Sequence, residues 1–246
     1  MMYHARATLA TAKRIILQLS HDKRTIALMF LAPTLLMALL AWVFSDRDQM
    51  FSQVAPALLG VFPFIIMFLI TSITTLRERT SGTLERLMST RVAKSDIVLG
   101  YAIAFGLFGV IQSIITSLVA VYLLGMDVLG PLWFVFVVAV MDTFLGVALG
   151  LLASAFSKTE FQAVQFMPAF IFPQILIGGL FVPLTQMPGL LETIAYCLPL
   201  TYAIDALNLV TTNTEIVIEM WRDVGVVGLF IVAAIILASL TLRRRS

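Results

Sequence analysis

Six long runs with almost no charge dictate what this chain can fold into. Five lack Asp, Glu, Lys and Arg altogether, at 25–44, 49–76, 97–126, 161–191 and 224–242; a sixth, 128–157, is broken only by Asp142. A helix needs about 20 residues to cross ~30 Å of hydrocarbon at ~1.5 Å per residue, so each run is long enough. Composition points the same way: 60% of the chain is hydrophobic, 12% is charged, and mean hydropathy is +1.01. No soluble core of 246 residues needs so much apolar surface. The expectation is an all-α integral membrane protein in one transmembrane domain, 1–246. Its six helices are predicted at about 25–44, 54–76, 97–124, 131–156, 162–182 and 224–242, with a charged loop at 77–96 and an opposite segment at 183–223.

Orientation follows from the basic residues. Arg6, Lys13, Arg14, Lys23 and Arg24 precede the first run. Arg77, Arg79, Arg86, Arg91 and Lys94 fill the 77–96 loop, Lys158 follows the fourth run, and Arg243 to Arg245 end the sequence. That places fourteen of the sixteen Lys and Arg on one side, with Arg47 and Arg222 opposite. The positive-inside rule puts that side in the cytoplasm, so a multi-pass protein of the cell membrane with both ends inside is expected. Eight of the fourteen acids fall outside, and six crossings give the same parity.

Several chemistries lack their residues. The lone Cys197 excludes an intramolecular disulfide and a thiolate cluster. His4 and His21 both precede the first run, which leaves no histidine for catalysis inside the membrane. The charged leader is 24 residues long and the first run ends in AWVFSDRD, unlike a cleaved signal peptide. No cofactor, metal or nucleic-acid partner is expected. Residues 193–214 tempt a seventh crossing, but Pro199, Asp205 and the terminal arginines argue for short helices at the outer surface or dipping into it. In the leader, Leu9, Ala12, Ile16 and Leu19 recur at helical spacing. They fit an amphipathic helix on the inner membrane face, or equally a solvated basic tail.

The loop RERTSGTLERLMSTRVAKSD holds Leu84, Leu87 and Met88 on one face of a short helix, with Arg79, Glu85 and Arg86 elsewhere. Such a face needs a cover, either the membrane surface or a cytoplasmic protein. Glu78 and Glu85 suit anionic lipid poorly, and Gly82 breaks the stretch into a turn and a helix. With the residues that follow, RERTSGTLERLMSTRVAKSDIVLGY resembles the loop after the second span in permease subunits of ABC transporters of the ABC-2 type. A second stretch, GGLFVPLTQMPGLLETIAYCLPLTYAIDAL at 178–207, resembles the end of that family's fifth span and its extracellular helices.

The resemblance implies that the loop is a coupling helix seated on a separate ATP-binding subunit, through Arg77, Arg79, Leu84, Glu85, Arg86, Leu87 and Met88. It also implies a half-channel that pairs as a homodimer or heterodimer, with a translocation path between second and fifth spans. The chain has no GxxxxGK[ST], so ATP would be bound by the partner. On helical spacing, the path candidates are Phe64, Phe68, Thr71 and Thr75, with Phe161, Gln165, Pro168 and Phe172 opposite. Aromatics with a few hydrogen-bonding groups suit an amphipathic drug-like or lipid-like cargo; the alternative reading turns the Phe rings to lipid and the Thr hydroxyls to their own helix. Gly146 and Gly150 form a GxxxG with Asp142 one turn earlier, which reads as close helix packing, with Asp142 bonded to Gln112 or Ser113 or handling a proton. Two other classes stay open. An ion-driven secondary transporter would want several intramembrane ionisable groups, and a lipid-modifying membrane enzyme would want a His, Cys or paired-carboxylate constellation.

Overall fold

The structure, a computed structural model, describes residues 2–45, 48–89 and 92–241, apart from the side chains of residues 2, 3, 48, 49, 85 and 88. Among the described residues it is all helical. α1 is Met2–His21, α2 Lys23–Val43, α3 Asp48–Thr80, α4 Thr83–Met88 and α5 Lys94–Leu118, the last continuing as a π-helical turn, Val119–Leu123. Then come α6 Leu132–Phe156, α7 Glu160–Ile177, α8 Gly189–Ala195, α9 Pro199–Thr212 and α10 Ile218–Thr241. Five segments are long and apolar enough to cross a membrane: Lys23–Val43, Met50–Thr80, Lys94–Leu123, Leu132–Phe156 and Ile218–Thr241. The chain is a multi-pass membrane protein.

The fifth predicted span differs. α7 has 18 residues, about 27 Å at ~1.5 Å each, and is not one of those five segments. Gln162, Gln165 and Gln174, with Pro168 and Pro173, dilute its apolar content. The helix stops before Gly178, and Gly179 turns the chain with φ 95°. The next apolar stretch folds as α8 and α9, which are bent by 94° and together qualify as one broken span or a re-entrant loop. α9 does not lie on a surface. Leu200, Ala203, Ile204, Leu207 and Val210 are buried where it packs on α3, α6 and α10.

α3 and α6 form the central pair. A Cβ on Gly146 would stand 2.5 Å from the Phe64 carbonyl oxygen, and one on Gly150 would stand 2.7 Å from that of Phe68. Only glycine lets the two backbones approach this closely. The leader helix packs too. Thr8, Thr11, Ala12, Ile15 and Leu19 of α1 are buried, and a Cβ on Gly100 of α5 would meet Thr11 at 2.7 Å. The buried stripe is therefore rotated from the predicted one: Ile15 is its centre and Leu9 is 61% exposed. Two threonines on this face, invisible to a hydropathy count, account for the shift.

Candidate functional site at the charged end of the bundle

α3 is 33 residues long, about 50 Å at ~1.5 Å per residue, so it outreaches the hydrocarbon and delivers its last turn, Arg77-Glu78-Arg79, to the end of the bundle. Successive residues on a helix point about 100° apart, since ~3.6 complete a turn, and these three reach four helices. Glu78 is 4% exposed. Its Oε2 accepts from Arg14 Nη2 of α1 at 2.7 Å and from the Tyr101 hydroxyl of α5. Arg14 Nη2 also lies 3.4 Å from that hydroxyl. One buried carboxylate thus joins α1, α3 and α5.

Arg77 donates from Nε and Nη2 to Oε1 and Oε2 of Glu160, at 3.0 and 3.1 Å, a bidentate pair joining α3 to the start of α7. The guanidinium hydrogen bond holds the Glu160 carboxyl below its ordinary pKa. Arg79 donates to the Ser154 carbonyl, one of the last carbonyls of α6, which have no partner within their helix. A second tie lies beside these. His4 Nδ1 of α1 stands 2.8 Å from Asp96 Oδ2, and the same oxygen accepts the Ala93 N–H at 3.2 Å, capping α5.

Beyond Arg79 the chain turns sharply. Gly82 has φ 76°, a left-handed conformation that favours glycine. The six-residue α4 follows. Its Leu84 is 2% exposed, in one cluster with Ile97, Val98 and Tyr101, and Leu87 packs on that cluster. At these two residues the chain itself covers the face that the sequence left bare. Arg86 is exposed; the side chains of Glu85 and Met88 lie outside the described residues. Glu78 is corrected as well, because it faces the bundle interior and so says nothing about lipid or partner.

The two predicted path stripes are not brought together within this chain. Phe64, Phe68, Thr71 and Thr75 are buried in the bundle, toward α6, and both threonine hydroxyls lack a hydrogen-bond partner among the described residues. On α7, Phe161 and Phe172 are 72% and 49% exposed, and Gln165 and Pro168 are exposed beside them. Asp142 is fully buried, 3.4 Å from where a Cβ on Gly60 would sit, and neither of its oxygens has a hydrogen-bond partner among the described residues. The expected bond to Gln112 or Ser113 is absent. Ser113 donates to the Gly109 carbonyl at 2.6 Å, and the Gln112 side chain has no hydrogen-bond partner among the described residues.

Sequence reading missed Arg14, Tyr101, Ser154 and Glu160, the receivers of the Arg-Glu-Arg turn. It also missed Gln174, whose Oε1 accepts the Leu200 N–H at 3.2 Å while its Nε2 donates to Phe170 O at 2.9 Å. That side chain caps α9 from α7. An unexplained glutamine one residue after Pro173 was the available signal.

A family model described as ABC-2 type transporter matches residues 6–210. Among curated proteins, the chain is 26% identical over 156 residues to a probable multidrug ABC transporter permease, YbhS, of Escherichia coli, covering 63% of this chain and 41% of that one. It is 27% identical over 165 residues to the linearmycin resistance permease protein LnrN of Bacillus subtilis, covering 66% and 41%. It is 28% identical over 164 residues to ABC transporter G family member 20 of Dictyostelium discoideum, covering 67% and 22%. The chain thus spans less than half the length of these relatives.

Proposed function

This chain belongs to the ABC-2 type transporter family, and on that premise we propose that it is the membrane permease of an ATP-driven exporter of amphipathic, drug-like or lipid-like compounds. The observation that carries the mechanism is the last turn of α3. Arg77, Glu78 and Arg79 tie α7, α1 with α5, and α6 to the segment that leads into α4. A push on α4 therefore reaches several helices at once. In this reading the charged end is cytoplasmic, in keeping with the basic-residue asymmetry, and both ends of the chain lie on that side. A separate ATP-binding subunit docks on α4 at Glu85, Arg86 and Met88, with Leu84 and Leu87 anchoring α4 from within.

A second permease, a copy or a homologue, packs against the exposed face of α7, so that Phe161, Gln165 and Phe172 line the path. Nucleotide binding by the partners biases a two-state rocking of the halves. The relatives named for multidrug transport and linearmycin resistance support a drug-like cargo. The test uses inverted membrane vesicles holding this chain and the ATP-binding subunit that co-purifies with it. ATP-dependent uptake of an amphipathic dye, unaffected by dissipating ion gradients, is expected. Uptake that runs on an ion gradient without nucleotide would overturn the reading.

A further inference from the structure

At the end of the bundle opposite the Arg-Glu-Arg turn lies a cavity of about 750 Å³, within the ~300–1,000 Å³ typical of small-molecule sites. It opens between the start of α3, the α5–α6 connection, the turn after α7 and the end of α9. The connection is fixed in place. Leu129 N–H and Gly130 N–H donate to the Thr211 and Val210 carbonyls at 3.2 and 3.0 Å, using α9 carbonyls left over at its C-terminal turn. Gly130 is required there, because a Cβ would stand 2.6 Å from the Val210 oxygen. The N–H groups of Leu124 and Met126 bond back to Val119 and Ala120 at 3.0 and 2.9 Å. Asp127, between these anchors, is held at the cavity wall by backbone on both sides.

Among the described residues, Asp127 is the one ionisable residue lining the cavity. Its Oδ2 accepts from Ser52 Oγ at 3.2 Å, and among the described residues no Lys or Arg pairs with it. Gln53 and Asn208 contribute side-chain amides that make no hydrogen bond to other described residues, and Leu180 and Phe181 supply an apolar wall. The described lining thus combines one carboxylate, neutral hydrogen-bonding groups and an apolar surface. It complements a molecule with an ammonium group on an apolar body. Among the described residues, an anion would meet Asp127 with no compensating cation, and their one carboxylate is too few ligands for a divalent metal.

We propose that this cavity is a binding site for amphipathic amines, with Asp127 as the counter-charge of the ammonium and Leu180 and Phe181 against the apolar body. The site goes beyond the export reading, because binding is a property of this chain alone. The test uses the purified full chain in uncharged detergent micelles and two fluorescent probes, dansylcadaverine and its N-acetyl derivative, which lacks the charge. The wild type is expected to bind the amine about tenfold more tightly than the acetylated form, the scale of one charge-assisted hydrogen bond. Asp127→Asn keeps the shape and is expected to lose that tenfold preference without changing affinity for the acetylated probe. Glu215→Gln, removing an exposed acid just past the end of α9 and outside the cavity, is expected to keep it. Phe181→Ala is expected to weaken both probes alike. Equal binding of the two probes by the wild type overturns the proposal. So does an equal loss of preference in Glu215→Gln and Asp127→Asn, which would reduce the effect to general surface potential.

Discussion

Arg14 and Glu78 are 64 residues apart in the sequence, yet their side chains meet at 2.7 Å at the end of the bundle. The Tyr101 hydroxyl donates to the same carboxylate oxygen. The leader helix is therefore packed onto the helical bundle, and a displacement of the α3 terminus is transmitted to α1 and α5.

The burial of this tie sets its worth against that of its neighbour. Glu78 is 4% exposed, whereas the Arg77 and Glu160 side chains are 62% and 50% exposed. Removing Glu78 leaves the half-buried Arg14 guanidinium and the Tyr101 hydroxyl without their acceptor, so Glu78→Ala should cost about 2 kcal/mol. Arg77→Ala removes a solvent-screened pair and should cost less than about 1 kcal/mol. Thermal unfolding of the purified variants in micelles gives the comparison. Equal losses would mean that the Glu78 tie is no stronger than a surface contact.

The Arg77–Glu160 pair should titrate. Arg77 lowers the folded-state pKa of Glu160 below its ordinary 4.5, so the pair stabilises the fold at neutral pH and loses that effect as pH falls through the lowered value. The difference in Tm between wild type and Arg77→Ala should be constant from about pH 7 to pH 5 and shrink progressively as pH falls below the ordinary carboxylate range. A difference that grew on acidification would have the wrong sign for this pair.

Crossing helices were legible because a charge-free run of sufficient length has few other uses, and five of the six runs became such helices. The run at 161–191 folds differently for a physical reason. Hydropathy reports that a segment avoids water, and it does not separate lipid from protein as the surroundings. α9, enclosed by α3, α6 and α10, reads the same as a lipid-facing span, while α7, with its prolines and glutamines, reads as longer than it is. The Arg-Glu-Arg turn was visible as charge, but its receivers at positions 14, 101, 154 and 160 are distant in sequence, and no local pattern announces them. Glu78 was the instructive error: an acid in a basic loop looks outward-facing until the helix that covers it is in place.

Close backbone approach at α3–α6 makes a graded prediction. Gly146→Ala would place a methyl 2.5 Å from a backbone oxygen that cannot swing aside. It should destabilise by about 1–3 kcal/mol, the usual range for overpacking. Gly225→Ala in α10 meets nothing within 4 Å and should be neutral or stabilising by up to about 1 kcal/mol through helix propensity. Thermal shifts of opposite sign, or one shift near zero, are expected; similar losses at both sites would count against the packing.

Gln174 offers a residue-specific readout. Its side chain satisfies the Leu200 N–H at the start of α9, a donor with no helical partner. Gln174→Leu keeps the volume, leaves that buried donor bare and should cost about 1–3 kcal/mol. Hydrogen exchange should speed up at Leu200 and its neighbours in the first turn of α9 and stay unchanged in α6. Protection that is unaltered at Leu200 would show that the cap is not formed.

The sharpest functional prediction concerns Glu85. Leu84 seats α4 in the bundle and Gly82 fixes its entry, so the helix is rigidly mounted on a turn that holds several others. A force-bearing contact with an ATP-binding subunit needs an anchoring group as well as a rigid mount. An acid on a helix mounted in this way can pair with an Arg or Lys of that subunit in a partly desolvated interface. Truncating one member of such a pair costs about 2–5 kcal/mol, mostly from the partner left unpaired. Lys94, exposed at the start of α5, is a rim charge by comparison, and losing it should matter little. Glu85→Ala should therefore leave the protein inserted and abundant while abolishing export and uncoupling ATP hydrolysis from substrate; Lys94→Ala should be near neutral. Co-purification of the ATP-binding subunit and dye export from cells measure both. If Glu85→Ala retains partner and export while Lys94→Ala loses them, the partner docks on the start of α5 and α4 is only a structural turn.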